Sequence, residues 1–283
     1  MTAIASLDAL INNLTGGGAV VPDHKWFWVD ARIQAAAANA PVAGRFMSLW
    51  QNNKSNGANG GAVPAAASSV APTNSTIGAL PYTQPTGGRQ KWMLGIESGL
   101  AAAGILMVYD RLAHGGGLVS ATVTAQTLTG CAVSRYTGAA ADGNQIWLEY
   151  AGVAQAVATH ALTVTYTNQA GTAGQVSKSI VAGTVALQGM IPIPLADGDT
   201  GVQSVQSVTV SVAGTASSTF SVVIMRPLSM NIGAGGAGGS VRDLIAGLPT
   251  MPEVLTGACL AFAWYANTTT AFTGFIGVHL AES

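Results

Sequence analysis

The chain has 283 residues, of which only 8% are charged, with 11 Lys and Arg against 12 Asp and Glu for a formal net charge of −1. Ordinary soluble proteins carry roughly 25% charged residues, so this balance excludes a basic, phosphate-neutralising surface and with it nucleic-acid binding. It also argues against a free monomer held in solution by its own charges, and points to a chain whose surface is covered by partners.

The N-terminal MTAIASLDAL has no basic region and places Asp8 where a signal peptide would be apolar. The longest apolar runs, 99–109 and 257–266, are shorter than the ~20 residues of a membrane helix. The expectation is a soluble chain made in a cytoplasm, with no membrane partner.

In SLDALINNLTGGG, Ser6 can cap a helix that presents Leu7, Leu10, Ile11 and Leu14 on one face and stops at glycine. So short an apolar stripe is suited to docking on another subunit. In KWFWVD (25–30) the alternation puts Trp26 and Trp28 on one side. These six residues are the candidate interface anchors. Residues 30–53 begin as an alanine-rich helix, which Pro41 and Gly44 interrupt. Residues 51–88 are Asn, Gly, Ala, Pro, Ser and Thr, with Lys54 the single charge. They read as an extended arm ordered by whatever it lies upon.

From residue 89 the pattern is strand and turn. Candidate strands are 90–98, 104–113, 121–129, 145–152, 161–169, 174–183, 187–195, 205–213 and 219–228, followed by a short helix near 240–248 and two returning strands, CLAFAWYA and TGFIGVHLA. This predicts a mainly β protein: residues 1–88 as a helical region with an extended arm, and residues 89–283 as an antiparallel β-sandwich of jelly-roll type.

The richest chemical stretch is LMVYDRLAHGGG (106–117). Strand alternation puts Asp110, Leu112 and His114 on one side and Arg111 on the other, with Asp110 and His114 about 13 Å apart. No Asp–His dyad follows, and the glycines read as a flexible hairpin. A phosphate cradle would need a helix after the glycines, but LVSATVTAQ is strand-like. The GAGGAGG run (233–239) holds a formal G-x-G-x-x-G at Gly233, Gly235 and Gly238, with Glu253 downstream, yet lacks the βαβ unit that dinucleotide binding requires. Asp197 and Asp199 have the spacing of a calcium loop without its remaining ligands and fit a turn equally well. GIESG (95–99) misplaces its serine for a nucleophile elbow. Histidines 24, 114, 160 and 279 show no metal-ligand spacing. Cys131 and Cys259, flanked by small or apolar residues, read as buried free thiols. Trp50, Trp92, Trp147 and Trp264 read as core. No catalytic residue, metal or cofactor is expected, and the chain is not read as an enzyme.

The phrases DRLAHGGGL, QIWLEY, LTVTYTNQAGTAG, IPLADGDTGVQSVQSVTVS and MRPL, with SLDALINNLTGG and APVAGRFMSLW near the N-terminus, resemble structural proteins of tailed-bacteriophage virions. The resemblance implies a head decoration or cement protein. It would be bound to the major capsid protein or other virion proteins through its N-terminal region and would form a homo-oligomer, a trimer if it follows local threefold lattice positions. The alternative is a neck or tail-fibre module that binds host-surface glycans, which aromatic residues such as Trp26 or Tyr136 exposed in a groove would favour.

Overall fold

The computed structural model describes residues 41–53, 55, 60–85, 87–233, 251–270 and 274–282, and the backbone alone of 23–28 and 239–243. Seventeen strands follow in chain order: β1 (Asp23–Trp28), β2 (Arg45–Ser48), β3 (Ser69–Val70), β4 (Lys91–Leu100), β5 (Gly104–Val119), β6 (Gln126–Thr127), β7 (Gln145–Tyr150), β8 (Ala161–Asn168), β9 (Gln175–Val176), β10 (Ile180–Val181), β11 (Gly189–Ile193), β12 (Val202–Val212), β13 (Thr219–Gly233), β14 (Gly239–Asp243), β15 (Glu253–Val254), β16 (Leu260–Ala266) and β17 (Gly274–Glu282).

Six of them close a ring, β13-β7-β11-β2-β16-β5, because β5 returns to pair with β13. Every pairing in the ring is antiparallel. Two further sheets are separate: β1-β17-β4-β14 with β15 on β4, and β10-β8-β12-β6 with β9 on β8.

The architecture is therefore a closed barrel, not the expected jelly-roll sandwich. Alternation in the barrel strands explains how one ring serves three cores. Inward residues from all six strands, among them Phe46, Met107, Tyr109, Trp147, Met190, Val223, Met225 and Ala263, fill the barrel. Outward Leu106, Val108, Leu260, Phe262 and Trp264 pack under the first sheet against Met93, Ile96, Ile276 and Val278. Outward Ile146, Leu148, Ile191, Val222 and Ile224 pack under the second against Leu162, Val164, Val205 and Val208. An open sheet of a sandwich leaves its two outermost strands each with an unpaired edge, whereas here β5 and β13, the two longest strands, pair with each other and close the ring.

Among the described residues there is no α-helix; the helical elements are 3-10 turns at Trp50–Asn52 and Gly138–Ala141. The helix expected over 6–14 lies outside the described residues. The helix expected near 240–248 is corrected at its start: 239–243 is strand, paired residue for residue with Gly95–Gly99 of β4. No helix of the described residues is long and apolar enough to cross a membrane.

The arm is anchored on the chain's own barrel. Ser69 and Val70 pair with Gly115 and His114, Gly116 N–H donates to Ser68 O at 3.0 Å, and Leu80 and Tyr82 enter the core beneath the first sheet. The 115–117 glycines are thus mid-strand, not a hairpin. A Cβ on Gly116 would lie 2.3 Å from Pro64 O, and one on Gly117, where φ is +70°, would lie 2.1 Å from Ala66 Cα. Only glycine lets the arm approach β5 this closely.

Candidate functional site

The charged stretch that stands out in the sequence forms the centre of the barrel. Against β13, residue Arg111 pairs with Met225 and Ala113 with Ile224, so Leu112 is an extra residue in β5. This bulge resets the alternation. Leu112 and Ala113 both join the core under the second sheet, and Arg111 and His114, level with inward-facing Met225 and Val223, both face into the barrel.

There Arg111 Nη2 forms a short ion pair with Glu149 Oε2 of β7. Its Nη1 donates to Tyr109 Oη at 3.1 Å, and its guanidinium lies 4.5 Å from the centre of the Trp50 ring, close enough for a cation–π contact. His114 Nε2 stands 3.6 Å from the same Glu149 oxygen, with the Trp50 ring edge-on at 6.3 Å. Arg111, His114 and Tyr109 are fully buried and Glu149 nearly so. Arg111 Nε, Glu149 Oε1, both His114 ring nitrogens and Ser221 Oγ are buried without a hydrogen-bond partner. Burial pushes the Tyr109 hydroxyl up to about 12 against the pull of Arg111. Burial, and then Arg111, hold the His114 imidazole well below its ordinary range.

The opposite face of the same strand carries a second buried pair. Asp110 receives Arg135 Nε at 2.9 Å and Nη2 at 2.7 Å, and the Cys259 N–H at 2.8 Å. Arg135 also reaches Pro72 O at 3.1 Å, tying the arm to the loop before β7. Burial raises the Asp110 carboxyl against these three donors. Breaking a buried pair by removing one partner typically costs about 3–5 kcal/mol. β5 is thus locked on both faces by charge.

The amide pair Asn52 and Gln188 adds a third lock, with Nδ2 to Oε1 at 3.0 Å and Nε2 to Oδ1 at 3.1 Å. It fastens the Trp50 turn to the residue before β11, where Gln188 holds φ at +65°. Because the charged members are sealed from solvent, the arrangement suits holding strands at fixed distance and does not offer a substrate a way in.

The other sequence-predicted residues lie elsewhere. Leu7, Leu10, Ile11 and Leu14 fall outside the described residues. Trp26 and Trp28 stand in β1, at the edge of the first sheet, in register with Gly277 and Phe275. Asp199 accepts from Tyr166 Oη at 2.6 Å and Asn168 Nδ2 at 2.7 Å, and Asp197 pairs with Lys178 at 2.5 Å, so the loop is clamped as a turn. Among the described residues no three His, Cys, Asp or Glu converge as a metal site. Ser98 of GIESG bonds Asn231 Nδ2 at 3.1 Å. Gly233 ends β13 and Gly239 opens β14, so the glycine run joins two strands; Gly235 and Gly238 are outside the described residues. Tyr136 packs on Arg226 at 5.2 Å and donates to Glu253 O at 3.2 Å. Both cysteines are free and buried. Trp50 and Trp147 are inside the barrel, Trp264 is in the core under the first sheet, and Trp92 is half-buried on that sheet's outer side.

A cleft of ≈ 290 Å³ opens on the outer side of the barrel between the start of β7 and the end of β11, lined by Asn144, Gln145, Ile146, Pro192, Ile193 and Thr200. Most of its polar groups are engaged: Gln145 Oε1 accepts from Trp147 Nε1 at 2.9 Å, Thr200 Oγ1 donates to Asp142, and Asn144 Nδ2 donates to Tyr136 O and Val202 O, while Asn144 Oδ1 is buried without a partner.

Sequence reasoning passed over Glu149 and Tyr109, and read Trp50 as core without a part in the cluster. The signal for Glu149 was an acid inside the apolar run QIWLEY, matched by an arginine inside another, GILMVYDRLA; two opposite charges in apolar strands are stable only if they meet. Comparison with protein-family models, curated proteins and solved structures finds no match.

Proposed function

We propose that the chain is a structural component of a bacteriophage virion, a head decoration or cement protein that binds the capsid through its N-terminal region and packs against copies of itself. The observation that carries this reading is where the scarce charges go. Lys91, Asp110, Arg111 and Glu149 are all buried, which leaves a surface even less charged than the 8% composition suggests.

The outer face of the second sheet illustrates the result. Thr163, Thr165 and Thr167 of β8 stand opposite Thr209, Ser207 and Ser204 of β12. All six are half-buried, and Ser204 and Gln206 bond Thr167 Oγ1 at 2.9 and 2.8 Å. Val176, Val181 and Val212 are exposed along its borders. An uncharged face with apolar margins loses little hydration when it is covered, as at interfaces depleted of charge.

The deciding experiment is quantitative mass spectrometry of purified particles. Hundreds of copies per particle support shell decoration. A dozen or fewer would move the protein to the neck or tail, and its absence from particles would discard the reading.

A further inference from the structure

Residues 60–82 cross the barrel as a strap that carries no charged side chain. Besides the Gly116 N–H to Ser68 O and Arg135 to Pro72 O bonds, Thr129 N–H donates to Ala67 O at 3.3 Å, and a few further bonds hold it. Trp50 Nε1 donates to Ala62 O at 3.0 Å, Gly61 N–H to Trp50 O at 2.9 Å, Asn53 Nδ2 to Gly78 O at 2.8 Å, and β3 contributes two residues of pairing. Val70 and Ile77 are each 47% exposed, so residues 60–77 gain little from apolar burial before Ala79 enters the barrel core, and they belong to the low-stability end of the fold.

The β3 pairing and the Trp50 contacts meet at His114. Its backbone pairs with Val70, its ring abuts Trp50, and neither of its ring nitrogens has a hydrogen-bond partner. The groups that face it are Arg111 of its own strand, Glu149 of β7 at 3.6 Å, and the neutral Ser221 and Val223 of β13. Arg111 engages Glu149 Oε2 while Oε1 has no partner, so a protonated His114 would leave two cations to one carboxylate, and the strap brings no acid. A proton on the imidazole would put a second cation beside Arg111 in a closed space sealed from solvent.

We propose that the strap is an acid-released cover: protonation of His114 detaches residues 60–79 from β5 and Trp50 and admits water to the barrel interior, while the six-stranded ring stays folded. With the strap closed, burial and Arg111 hold the imidazole well below its ordinary value. With the strap open, water restores a value near 6.5. The open form therefore binds the extra proton, and the closed form loses stability as pH falls below about 6.5. The ratio of open to closed should rise about tenfold per pH unit.

Hydrogen exchange of the full-length protein between pH 7.5 and 5, corrected for intrinsic rates, reads this directly. The Gly61 and Gly116 amides should lose protection about tenfold for each unit below 6.5, while ring amides such as those of Leu148 and Val223 keep theirs. His114→Gln should flatten the dependence. Constant protection of the strap, strap and ring opening together, or an unchanged slope in His114→Gln would each overturn the proposal. If that variant does not fold, the His114 ring resonances of the unaltered protein decide. Titration only in exchange with the open form supports the cover, and a ring that titrates near 6.5 with the strap amides still protected overturns it.

Discussion

Arg111 and His114 face the same way although they stand three positions apart in one strand, because Leu112 is a bulge that adds one residue to β5 opposite Ile224 and Met225. The bulge turns a strand that would split its charges between two faces into one that gathers a guanidinium and an imidazole around Glu149. The Trp50 ring closes over both.

The ion pair predicts a double-mutant cycle. Glu149→Leu should destabilise the fold by about 3–5 kcal/mol, since Arg111 would remain buried and uncompensated. Arg111→Met should cost a similar amount. The double variant should recover most of the loss, because two apolar side chains of similar volume need no partners. Equilibrium denaturant unfolding of the four proteins measures the coupling; additive losses would show that the pair does not lock β5.

Gly116 tests the docking of the strap. Its φ is ordinary, so Gly116→Ala meets only the steric obstacle of Pro64 O at 2.3 Å, and a loss of about 1–3 kcal/mol is expected. Gly198→Ala has open space but a φ of +89°, and should cost about 1–2 kcal/mol from backbone strain alone. Limited proteolysis separates the two: cleavage within 60–79 should accelerate in Gly116→Ala and stay unchanged in Gly198→Ala.

The thiols should be silent in the folded protein. Cys131 is buried and its pKa is pushed up to about 11 by burial, and burial raises Cys259 further. A thiol reagent at pH 8 should label neither until denaturant is added, after which both of the chain's two cysteines react. Labelling at the native state would contradict the burial of these sites.

The uncharged outer face of the second sheet is open to a charge test. Thr165→Lys and Ser207→Lys, a directly opposed pair, should leave the thermal midpoint within a few degrees, because both sites are half-exposed. Incorporation into particles should fall at least tenfold if this face packs against neighbours. Deletion of residues 1–20, which removes Leu7, Leu10, Ile11 and Leu14, should abolish incorporation if they are the anchors. Particle-bound protein measured by immunoblot reports both.

Much of the strand layout was legible before any coordinates. The run 161–168 alternates cleanly, those around 91–100, 145–150 and 260–266 are largely apolar stretches of strand length, and turns separate them. Two-residue β9 and β10 were instead read as one longer strand over 174–183, because local pattern does not report how much of a segment finds a partner. The charged cluster was half legible: Asp110, Arg111 and His114 drew attention, but their faces were assigned from unbroken alternation, and Leu112 gives no local sign of a bulge. Glu149 is 38 residues from Arg111 along the chain, a separation that no short motif spans.

By itself, then, the sequence determined that this protein is built of strands, that charge is scarce on it, and that its cysteines are apolar in setting. These properties follow from side-chain period and composition, which act over a few residues. Tertiary structure decided that β5 returns to β13 to close a barrel, that the glycines after His114 admit a strap instead of making a turn, and that two buried ion pairs lock one strand on both faces. Each of these depends on which strand edges meet, and that is settled by the free energy of pairing and burial across the whole chain.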